Sequence, residues 1–154
     1  MQYLTDANKA AANSVCVFCS KFAAPDESEH ILCRAEHAYI ALNRYPYNNG
    51  HLMVIPYVHA ASLELLDPPT LTELMLLTNR GLAALRKAYS PDGFNIGVNL
   101  GRAAGAGIAE HVHIHVVPRW NADTNFMPIV SETRVIPETL AQTYARLRPL
   151  FDQQ

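Results

Sequence analysis

The segment His111–Pro118 has the sequence HVHIHVVP, in which histidines and aliphatic residues alternate. Successive side chains of a β-strand point to opposite faces of the sheet, and residues two apart lie roughly 6.6 Å apart along one face. The alternation predicts a strand with its three histidines in a row on one face and its aliphatic side chains in the core. A Gly/Ala loop, Gly101–Gly107, precedes this strand and offers main-chain N–H groups that an anion can approach closely.

Earlier parts of the chain predict further strands of an antiparallel sheet. Residues 37–44 and 51–57 are rich in β-forming side chains, and the Asn-Gly pair between them is typical of a tight hairpin turn. Ile31–Arg34 is a candidate earlier strand. From residue 94 to residue 100 apolar and polar or small residues alternate, which predicts a strand with one buried face. That face carries Phe94, Ile96, Val98 and Leu100, and Asn99 is expected to point away from the core.

Two helices are predicted to pack against this sheet. Thr70 and Glu73 have the spacing of a capping box, which predicts a helix that starts at Thr70 and runs to about Tyr89. Its apolar residues recur at helical spacing; they are Leu71, Leu74, Met75, Leu82 and Leu85. A last helix is predicted to open with Pro137 and to carry Leu140, Tyr144 and Leu147 on one side. Strands in hairpins with packed helices predict an α+β fold.

Length and composition limit the classes of function. The 154 residues predict a single domain, 1–154, and the net charge of -2 from 12 basic and 14 acidic residues predicts no nucleic-acid partner. A small phosphorylated ligand remains compatible with that charge. No apolar run approaches the roughly 18 residues that span a bilayer, so we expect no membrane insertion. The first residues lack the features of a secretory signal, which predicts a cytoplasmic location.

Two cysteines have the spacing of a metal-binding pair. Cys16 and Cys19 are separated by two residues, as in a zinc knuckle, and the odd total of three cysteines argues against a disulfide framework. Tetrahedral zinc requires two more ligands, and no second cysteine pair is present. Cys33, His30 and His37 are candidates for these positions. The alternative is that both cysteines are small buried hydrophobic residues without a metal.

Three imidazoles in a row favour a catalytic role over a chance surface pattern. A neutral imidazole is a good nucleophile near pH 7 and can attack phosphorus directly. Attack by one ring nitrogen requires the proton on the other, so the nucleophile should have its second nitrogen held by an acceptor such as a backbone carbonyl. The middle residue, His113, is best placed for this role. A catalytic zinc held by all three histidines is a weaker alternative, because residues on one flat strand converge poorly on a single ion.

The heptad HVHIHVV resembles the His-φ-His-φ-His-φ-φ signature of the histidine triad (HIT) superfamily of nucleotide hydrolases and nucleotidyl transferases. Other segments resemble HIT segments in the expected order; they are Ala41–Arg44, Gly50–Pro56 and Phe94–Asn99. The resemblance covers about residues 16–120 and leaves a C-terminal helical extension of about 121–154. It implies an antiparallel sheet of about five strands with one long helix packed across it and a C-terminal helix.

Two segments are most similar to the bacterial diadenosine tetraphosphate phosphorylase branch of the superfamily: Tyr45–His51, and Val117–Trp120 followed by Asp123, Asn125 and Phe126. That branch implies an enzyme that splits a dinucleoside polyphosphate. A hydrolase of nucleoside phosphoramidates or adenylated amines from the same superfamily is one alternative. A non-catalytic nucleotide-binding protein that keeps the histidines as a binding face is another.

The resemblance also implies roles for single residues. His113 would be the nucleophile that takes up a nucleoside monophosphate, and water or inorganic phosphate would resolve the phosphoramidate. His115 would contact the transferred phosphoryl group. Asn43 matches the position that binds the ribose hydroxyls, Asn99 lies near the scissile phosphate, and His51 lies close to the triad.

The loop before the triad would add substrate contacts from Gly105 and Gly107. Here the sequence departs from the family pattern, because the interval from Asn99 to His111 is one residue longer and lacks the usual Gly-Gln pair.

Finally, the resemblance implies a metal and a partner. Members with a similar cysteine pair complete a structural zinc site, which here would comprise Cys16, Cys19, His59 and His111. No organic cofactor is implied. The family also implies a homodimer in which two sheets join edge to edge, which protects an exposed strand edge.

Overall fold

The computed structural model describes residues 15–121, 123 and 138–152. Five antiparallel strands form one sheet in the order β1-β2-β3-β5-β4. The strands are β1 (Ile31–Arg34), β2 (Ala38–Leu42), β3 (Leu52–Pro56), β4 (Gly93–Val98) and β5 (Ile114–Arg119). The prediction of an α+β fold around an antiparallel sheet of about five strands is confirmed.

Helices pack on both faces of the sheet. They are α1 (Val17–Lys21), α2 (Asp26–Glu29), α3 (Pro68–Tyr89) and α4 (Leu140–Leu147), with short 3-10 turns at Leu63–Leu65, Arg102–Ala104 and Arg148–Phe151. The 22-residue α3 is the long helix that lies across one face, and Phe18 of α1 lies in the apolar layer of the other. None of the helices among the described residues is long and apolar enough to cross a bilayer.

The β2–β3 hairpin is less tight than the Asn-Gly pair predicts. Residues 43–51 connect the two strands, and the Asn-Gly pair forms a turn closed by the His51 N–H, which donates to the Asn48 carbonyl at 3.2 Å. Gly50 has a φ of +75° in this turn, a conformation that glycine adopts without strain. The long connection leaves room for side chains that turn back toward the sheet.

The start of α3 differs from the predicted capping box. The side chain of Asp67 accepts the Thr70 N–H at 3.0 Å and caps the helix, so Thr70 is already inside it. Glu73 does not reach back to Thr70. Its carboxylate accepts the main-chain N–H groups of Glu36 and His37 instead, which ties the helix to the entrance of β2.

The start of the last helix is also corrected. Thr139 caps α4 in a capping box with Gln142, so the helix begins at Leu140 rather than at Pro137, which lies outside the described residues.

Two apolar layers sandwich the sheet. The layer under α3 contains the larger set; it includes Ile40, Leu42, Leu52, Val54, Leu74, Leu85 and Leu147. The opposite layer is smaller and contains Phe18, Ile31, Tyr39, Ala41, Met53 and Ile55. Three predicted core residues lie outside both layers: Met75 is 54% exposed on α3, Ile96 is 48% exposed on β4, and Leu100, which follows β4, is 41% exposed. Ile96 is exposed because β4 is an edge strand, which the alternation alone could not reveal.

Candidate active site

The histidine row lies on the sheet face opposite α3. Regular strand geometry begins only at Ile114, three residues later than predicted, yet the alternation of faces holds. The aliphatic residues between the histidines join the core under α3; they are Val112, Ile114 and Val116. The three histidines are all buried on the other face.

Phe18 holds two of these imidazoles in place. Its ring meets His111 edge-on at 5.4 Å and His113 at 4.8 Å between centroids. Sequence analysis did not identify this contact. Phe18 lies between Cys16 and Cys19 in the chain, and it reaches the triad because both cysteines lie against His111.

His113 has one ring nitrogen held and the other free to react. Its Nδ1 lies 2.9 Å from the carbonyl oxygen of His111, which can only accept, so Nδ1 carries the proton. Nε2 then holds a lone pair. Burial, opposed by the carbonyl hydrogen bond, lowers the pKa of His113 to about 4, which keeps the imidazole neutral near pH 7. This is the arrangement expected of a nucleophilic imidazole.

A second hydrogen-bonded pair fixes the orientation of His115. The Tyr47 N–H donates to His51 Nδ1 at 3.1 Å, which assigns the His51 proton to Nε2. That proton is donated to His115 Nδ1 at 3.0 Å, so His115 carries its own proton on Nε2. Burial, together with the neighbouring His115 and His113, lowers the pKa of His51 to about 3, and burial lowers the pKa of His115. Both imidazoles are therefore neutral near pH 7.

Asn43 lies beside this pair. Its Oδ1 accepts the Tyr45 N–H at 2.9 Å, and its Nδ2 lies 3.4 Å from His51 Nε2. The side chain is buried and locked at the end of β2, so the structure brings Asn43, His51 and His115 together.

An open cleft of about 490 Å³ adjoins His115 on the β4 side. Its lining is rich in amide side chains and comprises Tyr47, Asn48, Asn95, Ile96, Gly97, Asn99, His115, Val117 and Arg119. Asn99 is half-buried in this lining and therefore shares the cleft with His115. Arg119 is engaged by Asp123, whose two carboxylate oxygens accept from its guanidinium at 2.6 Å each.

The Gly/Ala loop folds on itself beside the triad. Gly105 is exposed, has a φ of +86° and ends the 3-10 turn, where its N–H donates to the Arg102 carbonyl at 3.0 Å. Gly107 is half-buried on the way to the triad. The amide of Gly105 is thus occupied within the loop in this structure.

The predicted metal ligands converge on one point. Cys16, Cys19, His59 and His111 each offer a ligand atom, and these atoms all lie within 4.8 Å of one another. The separations from Sγ to Nδ1 are 3.3 Å for Cys16–His111, 3.4 Å for Cys19–His59 and 3.6 Å for Cys19–His111. His111 Nε2 donates to the Pro56 carbonyl at 2.8 Å, which leaves Nδ1 unprotonated toward the sulfur atoms.

This donor set fits zinc. Zn–S and Zn–N bonds of about 2.3 and 2.0 Å place tetrahedral ligand atoms about 3.5 Å apart, close to the separations observed here. Partial burial and the nearby Cys16 raise the pKa of Cys19, which disfavours its thiolate form. A bound cation would favour the thiolate instead. Cys33 lies elsewhere, with its Sγ 3.0 Å from Arg80, and does not join the cluster.

The alternative of one zinc held by all three histidines finds no support in the ring orientations. His113 Nδ1 is engaged by its own backbone, His115 Nδ1 by His51, and His111 Nδ1 faces the cysteines. The three rings therefore serve different partners.

The chain is similar to a known domain family and to several known proteins. The HIT domain model matches residues 24–122. An AP-4-A phosphorylase from Mycobacterium tuberculosis is 45% identical over 118 residues, which are 77% of this chain and 60% of that protein, so the chain spans about three fifths of this relative's length.

Two solved structures share the fold over most of their length. A zinc-bound histidine triad family protein from Mycobacterium smegmatis superposes with a TM-score of 0.71 at 28% identity, covering 90% of this chain and 94% of that one. A hypothetical histidine triad nucleotide-binding protein from Sulfolobus tokodaii gives 0.72 at 26% identity, covering 89% and 92%. The chain belongs to the HIT domain family.

Proposed function

We propose that this protein splits a dinucleoside polyphosphate, such as diadenosine tetraphosphate, through a nucleotidyl group carried on His113. The observation that carries the proposal is the hydrogen bond from His113 Nδ1 to the His111 carbonyl at 2.9 Å. It leaves an unprotonated Nε2 in a buried site beside His115. The similarity to an AP-4-A phosphorylase supports the choice of substrate.

In the first step the lone pair of His113 Nε2 attacks the phosphorus of a terminal nucleotide. An N–P bond forms, the P–O bond to the rest of the polyphosphate breaks, and the leaving oxygen keeps the electron pair. With diadenosine tetraphosphate this step releases ATP and leaves AMP bonded to nitrogen. The Nδ1 proton stays on the hydrogen bond to the backbone, which stabilises the positive charge that develops on the ring.

In the second step an oxygen of inorganic phosphate attacks the same phosphorus, breaks the N–P bond and forms ADP. Water in place of phosphate gives AMP. Phosphoryl transfer depends mainly on positioning and charge stabilisation, which the neighbouring polar groups supply.

The remaining site residues bind and orient the substrate in this proposal. His115 directs its Nε2–H at a phosphoryl oxygen, and Asn43 Oδ1 accepts hydrogen bonds from the ribose hydroxyls. Asn99 holds the scissile phosphate from the cleft side. Gly105 and Gly107 line the approach to the triad.

The four metal ligands would hold a structural zinc ion. With zinc bound, Cys16 and Cys19 in the first turn of α1 would be held to His111 at the start of the histidine strand, and no coordination position would be left open. His111 acts on the chemistry only by offering its carbonyl to His113.

The exposed edge of β4, with Ile96 on its surface, is the edge at which a second copy of the chain would pair to form a homodimer.

The test is to incubate the protein with diadenosine tetraphosphate, with and without inorganic phosphate, and to separate the nucleotides by ion exchange. The proposal predicts ADP and ATP with phosphate and no turnover in His113→Ala. AMP and ATP without a phosphate requirement would indicate a hydrolase. Turnover of adenosine phosphoramidate alone would indicate a phosphoramidate hydrolase, and tight binding without any turnover would indicate a nucleotide-binding protein.

A further inference from the structure

The orientation of His115 depends on a main-chain group in a long connection. The proton positions in the His51–His115 pair are set by the Tyr47 N–H, which donates to His51 Nδ1 at 3.1 Å. If this N–H moved away, His51 could carry its proton on Nδ1 instead, and its Nε2 would then accept rather than donate. Tyr47 belongs to the nine-residue connection 43–51. The position of its N–H therefore depends on the contacts that hold this connection against the sheet.

Asn48, the next residue, anchors the connection to the far end of β5. Its Nδ2 has two N–H groups, and both are used: one donates to the Pro118 carbonyl at 3.1 Å and the other to Asp123 Oδ2 at 2.9 Å. These bonds join residues 70 and 75 positions apart in the chain, so they hold the connection against the sheet rather than within itself.

Asp123 is the centre of this anchor. Its Oδ2 accepts from Asn48 Nδ2, from Arg119 Nε at 2.6 Å and from the Trp120 N–H at 3.2 Å, and its Oδ1 accepts from Arg119 Nη2 at 2.6 Å. Arg119 is fixed in turn by Asn95 Oδ1 at 2.7 Å. An ordinary surface ion pair would leave the carboxylate with one partner, whereas this one collects donors from two separate parts of the chain.

We infer that Asp123 is a positioning residue for the reaction: through Asn48 it holds the Tyr47 N–H on His51 and so presents His115 with its proton on Nε2, toward the phosphoryl group. Asp123 itself touches neither the histidines nor a reacting atom. The effect on catalysis rests on the proposed function, whereas the effect on the histidine proton positions does not.

The test uses the full, zinc-loaded chain with ¹⁵N-labelled histidine. Long-range ¹H–¹⁵N correlation spectra distinguish protonated from unprotonated ring nitrogens and give the tautomer of His51 without any substrate. We expect a single Nε2-protonated form in the unchanged protein. Asp123→Ala and Asn48→Leu should each give a mixture of both tautomers. Asp123→Asn keeps an oxygen acceptor for Asn48 and should restore the single form.

Asp152→Ala is the matched control, because Asp152 also accepts from an arginine four residues away but follows the 3-10 turn Arg148–Phe151, which packs against β1 at the other edge of the sheet from β4. It should change neither the tautomer nor the rate. With diadenosine tetraphosphate and phosphate, kcat of Asp123→Ala should fall about tenfold with little change in KM, as expected for a misplaced group near the reaction.

A single Nε2 tautomer of His51 in both Asp123→Ala and Asn48→Leu would overturn the inference, whatever the rates. A mixed tautomer with unchanged kcat would overturn the catalytic part of it. Absence of turnover in the unchanged protein would instead contradict the proposed function and leave the tautomer result to decide the positioning role.

Discussion

Lowering the pH from 7 to 5 should destabilise the protein through His51, and His51→Gln should remove that part of the loss. His51 is 1% exposed, and burial together with its neighbouring imidazoles lowers its pKa to about 3. In the unfolded chain its pKa returns to about 6.5. Glutamine keeps an N–H donor for His115 but does not titrate in this range.

The direction of this change in stability follows from proton uptake by the unfolded chain. Because the folded-state pKa is lower, the unfolded chain binds a proton between about pH 6.5 and pH 3 that the folded protein does not. The stabilisation is therefore present above pH 6.5 and is lost as the pH falls. Over the interval from pH 7 to pH 5, a shift of this size lowers the free energy of unfolding by about 2 kcal/mol.

Urea unfolding at a series of pH values, with zinc held constant, measures this difference. The unchanged protein should lose about 2 kcal/mol more than His51→Gln between pH 7 and pH 5. Other buried histidines and any metal release contribute equally to both proteins and cancel. Parallel stability curves for the two proteins would show that His51 is not held neutral by burial, and the reasoning would be refuted.

Three further predictions concern the metal and the packing. With free zinc at a hundred times its Kd, adding an excess of chelator should lower the free energy of unfolding of the unchanged protein by about 2.7 kcal/mol. The double variant Cys16→Ser/Cys19→Ser should not respond to the chelator. Equal chelator sensitivity of the two proteins in calorimetry would exclude this metal site. Gly50→Ala should destabilise by about 1–3 kcal/mol in urea unfolding, because a Cβ there would lie 2.8 Å from a buried leucine, whereas Gly93→Ala meets nothing within 4 Å and should be nearly neutral. Phe18→Ala should cost about 3–5 kcal/mol as a buried-ring deletion, and an effect below 1 kcal/mol would mean that its edge contacts with the triad are not packed as described.

The histidine strand was predictable because its signal is local. Alternation with period two needs no knowledge of the rest of the fold, and the faces of Val112 and His113 follow from it directly. The same alternation predicts Ile96 in the core, and this prediction is wrong. Alternation cannot distinguish an edge strand from a central one.

Contacts between distant parts of the chain were the ones that sequence patterns missed. Glu73 has the spacing of a local cap yet binds amides 36 and 37 residues earlier. The link from Asp123 to Asn48 spans 75 residues and depends on how the chain leaves β5. Only the family resemblance groups the four metal ligands, because nothing in their spacing along the sequence brings His59 to Cys19.

His113 is expected to carry the nucleotide during turnover. The most direct measurement is rapid-quench trapping with diadenosine tetraphosphate labelled in its terminal phosphates, followed by peptide mapping under alkaline conditions that preserve phosphoramidates. We expect one adenylyl group on His113, formed before ADP appears, lost on adding phosphate and absent from His113→Ala. Full turnover by His113→Ala, or label on another residue, would contradict it.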